Sequence, residues 1–218
     1  MRLGKIKIIA VLLVSSMVAW MTFGSAANAQ LSGIYPVYYR VHNVASNDVL
    51  NARADSDSGA PIIGSLAYNA SPVEVIKQEH NWGYVAMGEQ MGWVSMKFLT
   101  QIVPPVVGQS QIPVGLSCGG TEPFWGFRLG QSEVNYSHMD EGDLTFSIDT
   151  AKGFAGFAGR DGFVQAGGTL SLFTAIFNTG QCSDGMSDID YGWRVDVVLN
   201  GASSVTGFSG CCRLAVSP

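Results

Sequence analysis

The chain has 218 residues, of which 47% are hydrophobic and only 13% are charged, and its formal net charge is −5 at pH 7. This composition excludes a disordered acidic or basic protein, because such chains have too few hydrophobic residues to bury. The acidic balance also argues against nucleic-acid binding and against electrostatic docking on an anionic membrane, since both need a basic patch.

Residues 1–29 have the three regions of a secretory signal peptide. Basic residues at positions 2, 5 and 7 precede an apolar stretch from Ile8 to Met21, and small residues end the segment at Ala27-Asn28-Ala29. The apolar stretch is shorter than the roughly 20 residues that span a bilayer, which argues against the alternative of an uncleaved membrane anchor. We therefore expect cleavage before Gln30 and an exported chain without a membrane span, carrying nine basic and seventeen acidic residues.

The stretch from about Tyr39 to Thr100 predicts a small β domain. Short alternating runs such as Val73-Glu74-Val75-Ile76 are typical of half-buried strands, and turn-forming residues separate them. Four motifs follow in order, DVLNAR at 48–53, IGSL at 63–66, WGYV at 82–85 and GWV at 92–94, before a closing Phe98-Leu99. In this order and spacing they resemble the bacterial SH3 (SH3b) domain over residues 39–100.

The resemblance implies an SH3-like barrel and a role in binding rather than catalysis. SH3b domains of exported bacterial proteins are often associated with cell-wall peptides or with protein partners. The candidate ligand-binding residues are polar or aromatic side chains of the matching stretches: Asn51, Arg53, Trp82, Tyr84 and Trp93. Aromatic faces suit sugar rings and peptide prolines, and the planar guanidinium of Arg53 suits a carboxylate. The competing interpretation is packing, with Trp93 in the core and Arg53 paired with Asp48 or Asp55.

Residues 101–115 predict a linker between two units that show no internal repeat. Pro104-Pro105 and Pro113 stiffen the chain and exclude regular strand or helix. Three glutamines add polarity to the same segment. The pattern therefore predicts a semi-extended connection rather than a structured element.

Residues 116–218 predict a second small β-barrel, because alternating runs such as LTFSI at 144–148 and WRVDV at 193–197 recur along them. The region contains GTEPFW at 120–125, CSDGMSD at 182–188 and a late GCC at 210–212. This combination is similar to an uncharacterised family of exported bacterial domains, for which small β-barrels are expected and no chemistry is established. Because Phe124 and Trp125 point to opposite faces of a strand, one of them should be buried.

All four cysteines lie in this second unit: Cys118, Cys182, Cys211 and Cys212. In an oxidising compartment we expect them to pair. Adjacent side chains in a strand point to opposite faces, so Cys211 and Cys212 should staple different partners. One would join Cys118 and the other Cys182, and the pattern leaves open which. A metal site is the alternative, since thiolates are good soft ligands, but no histidine lies at ligand spacing.

The loop after Cys182 carries three carboxylates within seven residues, Asp184, Asp188 and Asp190. Such a cluster suits Ca²⁺, which prefers several oxygen ligands, but the spacing does not match an EF-hand loop and the closing Glu is absent. The interpretation we favour is a solvated acidic loop braced by a disulfide at Cys182. No metal or other cofactor is predicted.

Taken together, these features predict an exported, all-β, non-enzymatic binding protein of the bacterial envelope, in the periplasm or secreted. Fingerprints such as G-x-S-x-G, H-E-x-x-H and the P-loop are absent from the sequence. The expected partner is peptidoglycan or an envelope protein, not nucleic acid. One alternative is an envelope stress-response protein or inhibitor that acts on lysozyme-like enzymes through the second unit. Another is a wall-peptide hydrolase that uses Cys118 or Cys182 with His138.

Overall fold

The computed structural model describes residues 36–139, 142–156, 161–169, 171–201 and 204–214, which all belong to one compact unit, Gly33–Pro218. The predicted signal peptide lies outside these residues. The regular elements of the described chain are one short 3₁₀ helix, Met96–Phe98, and strands β1 (Val37–Val41), β2 (Val49–Arg53), β3 (Ile62–Ala67), β4 (Val73–Val75), β5 (Lys77–Glu79), β6 (Trp82–Met87), β7 (Gln90–Ser95), β8 (Leu99–Gln101), β9 (Leu116–Thr121), β10 (Phe124–Leu129), β11 (Glu133–His138), β12 (Gly142–Lys152), β13 (Gly162–Gly167), β14 (Leu172–Cys182), β15 (Tyr191–Asn200) and β16 (Val205–Leu214). None of the helical structure in these residues has the length and apolar character needed to cross a membrane.

The first eight strands, which we call the first region, form two sheets that share one core. One sheet has the order β4-β1-β8 and the other the order β3-β2-β7-β6-β5. In β2, alternation buries Leu50 and Ala52 and leaves Asn51 and Arg53 partly exposed. The shared core consists of small and medium apolar side chains: Val41, Leu50, Ala52, Leu66, Ala70, Val73, Val75, Val85, Val94 and Leu99.

The last eight strands form a closed barrel. Each strand pairs antiparallel with the next, and β16 pairs with β9 to complete the ring. Aromatic side chains fill the interior: the ring centroid of Phe173 lies 5.2 Å from that of Phe127 and 5.4 Å from that of Phe146. Trp125 is buried and Phe124 is half exposed, as alternation predicted. The all-β class with a disulfide-stapled barrel is thereby confirmed, and the barrel interior is a packed core.

Two disulfides join Cys118 to Cys212 and Cys182 to Cys211. This confirms the crossed pairing and decides which cysteines pair. Cys212 lies opposite Cys118 in the ladder between β16 and β9 and points into the barrel, so its neighbour Cys211 points outward and ties β16 to Cys182 at the end of β14. Two disulfides indicate an oxidising, exported environment. All four cysteines are paired in these two disulfides.

The segment between β8 and β9 packs against the barrel. Val107 and Ile112 are fully buried and belong to the barrel core. The backbone N–H of Val107 donates to the Ile112 carbonyl at 3.0 Å, and that of Gln109 donates to the Ala151 carbonyl of β12 at 2.9 Å. The sequence predicted a semi-extended connection with prolines. It did not predict that the apolar residues of this connection pack into the barrel core.

Candidate functional site

A cleft of about 590 Å³ on the first region brings together three of the five predicted ligand-binding residues. Asn51 and Arg53 line it from β2, and Trp82 lines it from the start of β6. The three side chains are partly exposed, so they form an accessible wall. The rest of the lining mixes polar and apolar side chains, among them Asp48, Ser58, Ser95 and Phe98.

Arg53 lines this cleft, and its side chain is held by a neutral partner. Its Nη1 donates to the Ala60 carbonyl at 2.6 Å, which fixes the side chain without neutralising it. Within the described chain the one ion pair lies elsewhere, between Lys77 and Glu79, so the expected pairing of Arg53 with Asp48 or Asp55 is wrong. Each of those two carboxylates instead accepts a hydrogen bond from the backbone N–H of the next residue, at 2.8 and 2.7 Å.

The structure separates Tyr84 and Trp93 from this cleft. Trp93 is only 8% exposed, and the Tyr84 ring packs against it with a centroid distance of 4.7 Å. Lys77 Nζ lies 5.4 Å from the centroid of the Trp93 ring. Trp93 is therefore a packing residue, which corrects its place among the predicted ligand contacts. Tyr84 lines a small cavity that the first region shares with the barrel.

A second opening, which we call the outer groove, has a volume of about 1020 Å³ and lies on the outside of the barrel. The exposed side chains of Arg194 and Asp196 on β15 and of Ser209 on β16 contribute to its lining. The three motifs singled out in the second unit also meet there, as Gly120-Thr121-Glu122, residues 182–186 and Gly210-Cys211. Thr121 Oγ1 donates to the Asp184 carbonyl at 3.2 Å, so distant parts of the chain form one site.

Asp184 organises the loop at the rim of the outer groove. Its Oδ1 accepts hydrogen bonds from the backbone N–H groups of Met186 and Ser187 at 3.0 and 2.9 Å, and its Oδ2 accepts one from the Tyr191 hydroxyl at 2.9 Å. Partial desolvation raises the pKa of Asp184, but the hydrogen bonds outweigh it and hold the pKa at about 2. The Asp184 carboxylate is thus engaged in hydrogen bonds that hold the loop in place.

The other two predicted acidic residues lie apart from Asp184. Asp190 lines the cavity of about 100 Å³ that also contains Tyr84, and its Oδ1 accepts a hydrogen bond from Gln181 Nε2 at 3.4 Å. Asp188 is exposed. Among the residues that the structure describes, no group of three or more His, Cys, Asp or Glu is placed to hold a metal ion. The arrangement fits a braced acidic loop better than a calcium site.

The first region and the barrel meet through a buried chain of hydrogen bonds, which we call the junction. Trp193 Nε1 donates to the Tyr38 hydroxyl at 2.7 Å, and this hydroxyl donates to Glu74 Oε1 at 3.2 Å. The backbone N–H of Leu214 donates to Glu74 Oε2 at 3.1 Å. Burial raises the pKa of Glu74 to about 8, against the hydrogen bonds from Leu214 and Tyr38 and the charge of Arg213, which lower it.

Close backbone contact supports the junction. Gly192 of β15 lies against Pro36 and Ile76, and a Cβ at this position would lie 2.8 Å from Pro36 Cβ and 3.2 Å from Ile76 Cγ2. Arg213 Nη1 donates to the Gly88 carbonyl at 3.1 Å. No sequence pattern indicated these contacts, because each joins residues far apart in the chain.

Comparison of the chain with protein-family models, with curated proteins and with solved structures found no match in any of the three. A function must therefore be argued from the sites themselves, since a fold alone does not specify one. The two accessible candidates are the cleft with Asn51, Arg53 and Trp82 and the outer groove of the barrel.

Proposed function

We propose that this protein is an exported, non-enzymatic binding protein of the bacterial envelope whose first region recognises cell-wall peptides through the cleft. The observation that carries the proposal is the meeting of Asn51, Arg53 and Trp82 in one cleft, although they come from two strands and were selected from sequence motifs. Resemblance of this region to SH3b domains supports the same ligand class.

The chemistry of the cleft suits a peptide with free charged groups. The guanidinium of Arg53 is held at one nitrogen by the Ala60 carbonyl, and its other N–H groups are suited to a ligand carboxylate. Asp48 in the same lining suits a ligand amino group, and Asn51 supplies both a donor and acceptor for a peptide bond. The half-buried indole of Trp82 offers an apolar face.

Co-sedimentation of the mature protein with purified peptidoglycan tests this proposal. We expect the wild-type protein to pellet and Trp82→Ala or Arg53→Gln to weaken binding about tenfold each, because each removes a stacking face or a charge-assisted hydrogen bond. Tyr68→Ala and Arg40→Gln are matched controls, since both side chains are exposed and neither lines the cleft. Wild-type protein that stays in solution, or cleft variants that pellet like the controls, would contradict the proposal.

The outer groove favours a second candidate function, inhibition of lysozyme-like enzymes through the barrel. The observation in its favour is the convergence of the three motifs of the second unit on one open groove. A lysozyme assay with the full mature protein tests it. We expect Glu122→Gln together with Met186→Ala to reduce inhibition and Trp82→Ala to leave it unchanged, because the first two residues line the groove and Trp82 lines the cleft.

A further inference from the structure

The two disulfides lie in different surroundings. Cys118 and Cys212 are 5% and 0% exposed and belong to the packed barrel core. Cys182 is partly exposed and lines the outer groove together with Cys211, which is 3% exposed. Because the rate of thiol–disulfide exchange depends on access to the attacked sulfur, the two bonds should differ in reactivity while the protein is folded.

We propose that the Cys182–Cys211 disulfide is a site of thiol–disulfide exchange for small neutral or cationic thiols that enter the outer groove. Cys182 Sγ is the sulfur attacked, because Cys182 is the more exposed of the two residues. The Cys118–Cys212 bond is closed to the same thiols as long as the barrel is folded. This inference does not depend on the cleft or on the ligand proposed for it.

The exchange has two steps. A thiolate attacks Cys182 Sγ, the bond to Cys211 Sγ breaks, and Cys211 leaves as a thiolate that takes a proton from water. A second thiolate attacks the external sulfur of the mixed disulfide and releases Cys182 as a thiolate, which is also protonated. In sum, two external thiols are oxidised to one external disulfide, and the protein disulfide is reduced to two thiols.

The charges of the groove select the class of thiol. Three carboxylates line it, those of Glu122, Asp184 and Asp196, against the single guanidinium of Arg194. Arg194 Nε and Nη2 both donate to the Gln181 carbonyl at 2.9 and 2.8 Å, which fixes the side chain without cancelling its charge, so the carboxylates outnumber the cation three to one. An anionic thiol is therefore repelled from the groove, whereas a thiol that carries an ammonium group is attracted.

Exchange at this site breaks the covalent bond between β16 and Cys182, the residue after which the loop of residues 183–190 begins. The loop then keeps noncovalent attachments: the hydrogen bond of 3.2 Å from Thr121 Oγ1 to the Asp184 carbonyl, the hydrogen bond of 2.9 Å from the Tyr191 hydroxyl to Asp184 Oδ2, and the side chain of Ile189, which is only 4% exposed. One wall of the outer groove thus loses its covalent tie to β16, while the barrel stays closed by Cys118–Cys212.

The test uses the folded mature protein and three thiols of different charge: cysteamine, β-mercaptoethanol and thioglycolate. The reaction is quenched with N-ethylmaleimide and read by peptide mass spectrometry, and each rate is divided by the rate of the same thiol with oxidised mercaptoethanol. We expect labelling of Cys182 and Cys211 at a rate proportional to thiol concentration, a trapped mixed disulfide on Cys182, and labelling of Cys118 and Cys212 only in denaturant. The normalised rate should be about threefold or more higher for cysteamine than for thioglycolate, and salt should reduce this ratio.

A pair of double variants tests the electrostatic part. Glu122→Gln with Asp196→Asn should bring the cysteamine and thioglycolate rates together, because both carboxylates line the groove. Glu133→Gln with Asp149→Asn removes two exposed carboxylates outside the groove lining and should leave the ratio unchanged. Equal labelling of all four cysteines at a rate independent of thiol concentration would overturn the proposal, because it marks global unfolding. A mixed disulfide on Cys211, or no labelling in the folded state, would overturn it as well.

Discussion

The first region and the barrel fold around cores of different kinds. The core of the first region is made of valine, leucine and alanine side chains shared by two sheets, and this region contains no cysteine. The barrel is filled with aromatic rings such as Phe127, Phe146 and Phe173 and is closed by the Cys118–Cys212 bond. Because the barrel interior is packed, its candidate site lies outside, in the outer groove. The first region instead presents its site as a cleft beside a small core.

The largest effect should come from removing the covalent closure of the barrel. Cys118→Ala with Cys212→Ala opens a loop that joins residues 94 positions apart, and should lower the free energy of unfolding by about 4 to 5 kcal/mol. Urea unfolding followed by tryptophan fluorescence measures this loss. Cys182→Ala with Cys211→Ala spans 29 positions and should cost about 1 kcal/mol less. A larger loss in this second variant would show that the outer disulfide, not the core one, stabilises the barrel.

The junction should make stability depend on pH. The pKa of Glu74 is raised from 4.5 to about 8 in the folded protein, so the folded state retains a proton that the unfolded state loses. Its contribution to the free energy of unfolding is therefore fully present below about pH 4.5 and is lost as the pH rises through about 8. Urea midpoints at about pH 5 and about pH 9 measure the loss. Glu74→Gln should remove most of this loss of stability. If the urea midpoint falls by the same amount between the two pH values in the wild type and in the variant, this role of Glu74 is refuted.

A smaller effect is expected from the hydroxyl that links the two regions. Tyr38→Phe leaves Trp193 Nε1 and Glu74 Oε1 without the hydrogen-bond partner they share, and should cost about 1 to 2 kcal/mol. Tyr68→Phe is the control, because that side chain is exposed. Thermal unfolding at neutral pH compares the two. If both variants match the wild type, the junction does not contribute measurably to the coupling of the regions.

Local pattern was sufficient for the features that depend on alternation. Leu50 and Ala52 are buried and Asn51 and Arg53 are partly exposed because neighbours in a strand face opposite sides. The same rule required Cys211 and Cys212 to have different partners. Alternation did not show which of the two cysteines pairs with Cys118 and which with Cys182. That pairing depends on which loop crosses the outside of the barrel.

The junction was beyond sequence reasoning for a physical reason. Glu74 stands between Val73 and Val75 in an alternating run, where a polar residue indicates a solvent-facing position. In the structure that face is covered by the barrel, and the hydrogen-bond partners lie 36 and 140 positions away. Trp93 illustrates the converse case, because it was predicted as a ligand contact but is buried. From the sequence alone, an aromatic motif residue that packs in the core cannot be distinguished from one that binds a ligand.

The most direct test of the central claim is amide and indole NMR of the mature protein titrated with a soluble cell-wall peptide. If the cleft of the first region is the recognition site, the resonances of Asn51, Arg53 and the Trp82 indole shift with added peptide, and those of the outer groove stay in place. Shifts confined to Thr121, Glu122 and residues 184–186, with the Trp82 indole unchanged, would contradict the account and assign recognition to the barrel.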